Sequence, residues 1–61
     1  MRKFKAWLVE NNIKQSEIAK LLGLSLRIVN AKLNGREPFT LAQVKTICLH
    51  YHISADEFFI N

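Results

Sequence analysis

In the stretch "SLRIVNAKLNG", Ser25 to Gly35, the residues Arg27, Asn30 and Ala31 sit three and four positions apart, a spacing that one helix face brings together. Arg27 offers a planar fork of donors, Asn30 a paired donor and acceptor, and Ala31 a bare methyl group. The fork fits O6 and N7 of guanine, the amide fits N6 and N7 of adenine, and the methyl can pack on thymine. The chemistry is that of a helix face able to read base edges. Asn34 points the same way, with Leu26 and Ile28 at the margins. A merely solvated face usually carries Glu and Lys pairs, whereas this face has no acid.

Such a face is useful only if the opposite face is anchored. Val29 and Leu33 supply the inward stripe, Ser25 is a suitable N-cap, Leu24 can staple to Val29, and Gly35 stops the helix after Asn34. Just upstream, Ile18, Ala19, Leu21 and Leu22 form a second apolar stripe starting at Gln15 and ending at Gly23. Two helices crossing closely around a short turn need a small residue at the contact, a glycine in the turn and a buried aliphatic on the second helix. Ala19, Gly23 and Val29 fill those places at the fifth, ninth and fifteenth positions from Gln15. The window predicts a helix-turn-helix.

The rest of the chain reads as its support. Phe4, Trp7, Leu8 and Asn11 predict a first helix over 2–11 ending at Asn11-Asn12. Thr40 opens a fourth helix with a capping box to Gln43 and a staple from Phe39 to Val44. Ser54 opens a fifth with Glu57 and a staple from Ile53 to Phe58. Pro38 rules out helix continuation through Arg36-Glu37-Pro38-Phe39. No strand, repeat or linker is read, so residues 1–61 are expected to form one compact all-α domain of five helices.

Bulk properties narrow the function. A chain of 61 residues buries only about 60% of its unfolded surface, which leaves stability marginal and no room for a cleft between domains. Its 49% apolar content is too high for a disordered tail. A net charge of +4 favours a polyanionic partner, nucleic acid or acidic membrane. No apolar run approaches ~18 residues and the N-terminus has no apolar signal core, so a soluble, unsecreted protein with no membrane role is expected. The single cysteine excludes an intramolecular disulfide and fits a reducing compartment. In "CLHYH" the alternate residues Cys48, His50 and His52 diverge on a helix and cannot converge on one ion. Cys48 reads as core beside Val44 and Ile47, and Asp56 and Glu57 as dipole partners of the fifth helix. No enzyme activity, metal or cofactor is expected.

The residues "QSEIAKLLGLS...VNAKLNG" resemble the lambda repressor and Cro-like helix-turn-helix family, also called the XRE family, and especially its short phage-type regulators; the likeness covers nearly the whole chain. The resemblance implies base contacts from Ser25, Leu26, Arg27 and Ala31. It also implies phosphate contacts from Gln15 and Asn34, with Lys32 and Arg36 adding charge to the clamp. Relatives usually place Ser or Thr where this chain has Lys14, an aliphatic residue where it has Lys32, and an Arg and Glu pair where it has Leu8 and Leu33. Lys14 is a poor cap whose charge opposes the helix dipole, which suggests a phosphate neighbour.

In that family the third helix reads DNA as a symmetric dimer, a geometry for which lambdoid proteins are the standard illustration. One unit this small makes too few contacts for tight specific binding, so a weak homodimer completed on DNA is expected. Ala55, Phe59 and Ile60 are the candidate dimer surface, Ile53 and Phe58 being used within the monomer. Phe59 has an alternative place, as a lid on the first helix near Phe4. The resulting expectation is a sequence-specific double-stranded DNA-binding transcription regulator, a phage or prophage Cro-type protein or short repressor. It would work in the cytoplasm of the bacterial host, at the nucleoid. The runner-up is a protein-interaction module on the same fold, such as an antirepressor or antitoxin-like partner.

Overall fold

The computed structural model describes residues 2–59, and of Arg2 only its backbone. Each element forms where apolar residues recur at helical spacing and a cap closes the end. In order they are α1 (Arg2–Glu10), α2 (Gln15–Leu22), α3 (Leu26–Leu33), α4 (Leu41–Tyr51) and α5 (Ala55–Phe58), with no strand among the described residues. The expected all-helical fold of five helices is present, and α2 and α3 pack together as a helix-turn-helix.

The starts of α3 and α4 follow side-chain capping. Ser25 Oγ accepts from the Ile28 N–H at 3.2 Å. Thr40 Oγ1 accepts from the Gln43 N–H at 3.1 Å while Gln43 Oε1 accepts from the Thr40 N–H at 3.0 Å, a complete capping box. The expected box at α5 is absent: Ser54 makes no side-chain cap bond, so this single turn owes its place to the rings of Phe58 and Phe59.

Four helix ends share one device, a left-handed residue followed by an N–H that reaches back five residues. Asn12, Gly23, Gly35 and His52 have φ of 57°, 69°, 80° and 57°. The following N–H groups of Ile13, Leu24, Arg36 and Ile53 donate to the carbonyls of Leu8, Ala19, Ala31 and Cys48 at 2.9, 2.9, 2.9 and 3.1 Å. In three of the four, the residue after the stop is apolar and half-buried, which turns the chain back onto the core. His52 holds this conformation without glycine's freedom, at a cost of about 1 kcal/mol. His52→Gly should therefore raise the melting temperature by about 4 to 8 °C. A lower melting temperature would show that the imidazole contributes more than the backbone strain removes.

The core joins Phe4 and Leu8 of α1, Ile18 and Ala19 of α2, Val29 and Leu33 of α3, Phe39 of the connecting loop and Ile47 of α4. Leu8 and Leu33, where relatives of the resembling family carry an ion pair, are both buried and apolar. Phe4 is the hub of an aromatic cluster: its ring centroid lies 6.0 Å from Trp7, 6.2 Å from Phe39, 6.2 Å from Phe58 and 4.9 Å from Phe59. Phe59 also meets Phe39 edge-on at 5.6 Å. These contacts match the alternative place for Phe59, against α1 near Phe4, and leave the side chain half-buried. Ala55 is half-buried, and Ile60 lies outside the described residues.

Candidate nucleic-acid interface

The second helix of the pair can project its outer face because the turn Gly23-Leu24-Ser25 is short and its middle residue is packed inward. Val29 is fully buried and Leu33 nearly so, which fixes the rotation of α3 about its axis. That rotation exposes Ser25, Leu26, Arg27, Ile28, Asn30 and Asn34, and leaves Ala31 half-buried at the edge. Leu26 is 54% exposed and is a candidate surface for a thymine methyl. Ser25 uses its oxygen as the cap acceptor, so its hydroxyl proton remains as a donor.

At the start of α2, Lys14 has extended backbone angles and a side chain without any acceptor atom. Only half of a capping box exists there, with Glu17 Oε1 accepting from the Lys14 N–H at 3.5 Å. Lys14 is exposed, and Gln15 beside it is half-buried. Arg36, just past the end of α3, is exposed as well.

Lys32 is a correction. It is only 7% exposed, its Nζ donates to the Pro38 carbonyl at 2.8 Å and stands 5.8 Å from the centre of the Phe39 ring. Three residues after Val29, it falls on the flank of the buried stripe, where its stem packs and its ammonium ties the following loop to α3. It is therefore not an exposed arm of a phosphate clamp.

The structure also joins residues that the sequence leaves separate. Asn30 Nδ2 donates to Gln15 Oε1 at 3.2 Å, Asn34 Nδ2 donates to Asn30 Oδ1 at 3.1 Å, and Lys5 Nζ donates to Asn34 Oδ1 at 2.7 Å. The start of α2, the outer face of α3 and α1 thus share one run of side-chain bonds. Lys5 has no local signal for this role, since its partner lies 29 residues away.

Elsewhere the chemistry is sparse. Burial raises the Cys48 thiol pKa, which disfavours its thiolate, and the Tyr51 hydroxyl pKa is raised first by burial and then by the Glu17 carboxylate. Among the described residues no group of His, Cys, Asp and Glu could hold a metal ion, and no helix is long and apolar enough to cross a membrane.

Two short helices in a fixed crossing, the second presenting an acid-free outer face, form a helix-turn-helix domain. The chain belongs to the BetR domain family, a helix-turn-helix-like DNA-binding family whose model matches residues 3–61. No curated protein and no solved structure matches it.

The two basic residues near the end of α3 should separate in a salt titration. Each phosphate contact contributes about 0.9 to the slope of log affinity against log salt. Arg36→Met should lower the slope by about that amount, and Lys32→Met should leave it unchanged. Equal losses in the two variants would return Lys32 to the DNA surface.

Proposed function

We propose that this protein is a sequence-specific double-stranded DNA-binding transcription regulator, a Cro-type or short repressor of the XRE kind from a phage or prophage. It lays α3 in the major groove of an operator and blocks the promoter that the operator overlaps. Arg27, Asn30 and Ala31 read bases with help from Ser25 and Leu26, while Lys14, Gln15, Asn34 and Arg36 hold phosphates. The observation that carries this reading is the exposure of Arg27 and Asn30 on an acid-free helix face beside the start of α2. The protein acts without enzymatic activity or cofactor, in the bacterial cytoplasm at the nucleoid.

Two copies on a two-fold operator place their recognition helices about 34 Å apart. The backbone of one copy measures 25 × 23 × 19 Å, so two copies side by side, with their side chains, are of the right size for adjacent half-sites. Phe59 packs on Phe4 inside the monomer, and in this reading dimerisation is weak off DNA and completed on it. Selection from a library of random duplexes tests the whole reading. The expected result is enrichment of one palindromic sequence whose binding weakens steeply with salt. Equal binding to all duplexes would remove the regulator and leave a nonspecific DNA-binding domain.

A second reading, a protein-interaction module, draws on the outer face of α4, where Leu41 is 85% and Leu49 69% exposed. A partner captured by that face in the absence of DNA, and lost in Leu49→Lys, would favour it.

A further inference from the structure

Lys5 differs from the three amides it leads into because an ammonium can only donate, whereas each amide can be turned to donate or accept at either end. Asn34 must therefore present Oδ1 to Lys5, and it does so at 2.7 Å. Its Nδ2 is then directed at Asn30, which must offer Oδ1 in return and turn its own Nδ2 to Gln15. Gln15 accepts through Oε1, so its NH2 group is left pointing away from the run. The direction of all three amides follows from the one group that has no choice.

We propose that Lys5 of α1 is a positioning residue for base reading, fixing the donor and acceptor order of Asn30 through Asn34. The inference rests on the base-reading role given to Asn30 above. After its two bonds within the run, Asn30 retains one N–H and one oxygen lone pair, the pair of groups that adenine N7 and N6 require. The order in which those groups face the groove is set by the run, and so is the choice of base. The same direction leaves donors at both ends, the Lys5 ammonium and the Gln15 NH2, and both suit phosphate oxygens. A cation on α1, outside the helix-turn-helix, thereby takes part in specificity without touching a base.

Lys5→Met keeps the stem and removes the donor, while Lys5→Arg keeps a donor. In the free protein, the side-chain NH2 resonances of Asn30 and Asn34 should move in Lys5→Met and stay near their original positions in Lys5→Arg. On DNA, the probes are the duplex most enriched by the unmodified protein and copies of it with each base pair changed in turn. Lys5→Met should cut discrimination by about tenfold at one A·T pair, the one whose preference Asn30→Ala also abolishes, and Lys5→Arg should restore most of it. Unmoved NH2 resonances in Lys5→Met would overturn the proposal, as would equal weakening on every duplex, which describes a simple phosphate contact. If the unmodified protein enriches no duplex, the regulator reading fails, and the NH2 resonances still decide whether Lys5 sets the amides.

Discussion

Alanine in place of Phe4 should destabilise the domain by about 3 to 5 kcal/mol, enough to leave much of it unfolded at physiological temperature. The side chain is fully buried and four aromatic rings lie within 6.2 Å of its centroid. A chain this short has a total stability of only a few kcal/mol, so losing one hub is comparable with losing the fold. The α5 turn has no side-chain cap and leans on Phe4 through Phe58 and Phe59, so the Phe59 N–H, which donates to the Ala55 carbonyl at 2.8 Å, should lose protection from hydrogen exchange first. Thermal melts by circular dichroism check the first claim, with Phe4→Leu as a milder control. A Phe4→Ala variant that melts within a few degrees of the parent would show that the cluster is not what holds α1 and α5 together.

Arg27→Ala should weaken binding to the selected operator by about 1 to 3 kcal/mol, roughly 5- to 150-fold, and relax preference at a single G·C pair. The guanidinium stands exposed on the first turn of α3, the end that the proposed reading places in the groove. Affinity for random duplex should fall far less, because a base contact adds little where the base is wrong. Arg36→Met, in contrast, should weaken all duplexes alike. Equal losses on operator and random DNA in Arg27→Ala would make Arg27 a phosphate contact and move base reading to Asn30 and its neighbours.

Much of the frame was legible because its causes are local. Ser25 and Thr40 carry their capping oxygens within three residues of the N–H they serve, and Gly23 and Gly35 stand where a left-handed stop is needed. The outer face of α3 follows from Val29 and Leu33, which period 3.6 places inward. Lys32 departs from the expected clamp for a reason also visible in the sequence: three residues after Val29 it lies on the flank of the buried stripe, where position outweighs charge. Ser54 has the residue types for a capping box with Glu57, yet aromatic packing sets that turn and the box does not close. The place of Phe59 against Phe4 and the bond from Lys5 to Asn34 depend on the tertiary course of the chain. No periodicity within a helix reports either of them.

The stop at the end of α3 also gives the proposed recognition surface a chemical lifetime. Asn34 is followed by Gly35, whose backbone nitrogen has no side chain beside it to hinder attack on the Asn34 side-chain carbonyl carbon. That attack expels ammonia and closes a cyclic imide, which water opens to aspartate or isoaspartate. In the folded chain the Gly35 N–H is held by the Lys32 carbonyl at 3.1 Å, and the Asn34 amide is held by Lys5 and Asn30. Nucleophile and target are both restrained, so the reaction must proceed through molecules in which the end of α3 has opened. Ageing in urea should therefore accumulate isoaspartate at position 34 much faster than ageing of the folded protein, as peptide mapping would show. Its product is a carboxylate where the proposed reading places a DNA phosphate, so molecules that have spent longest unfolded should refold with impaired grip on DNA.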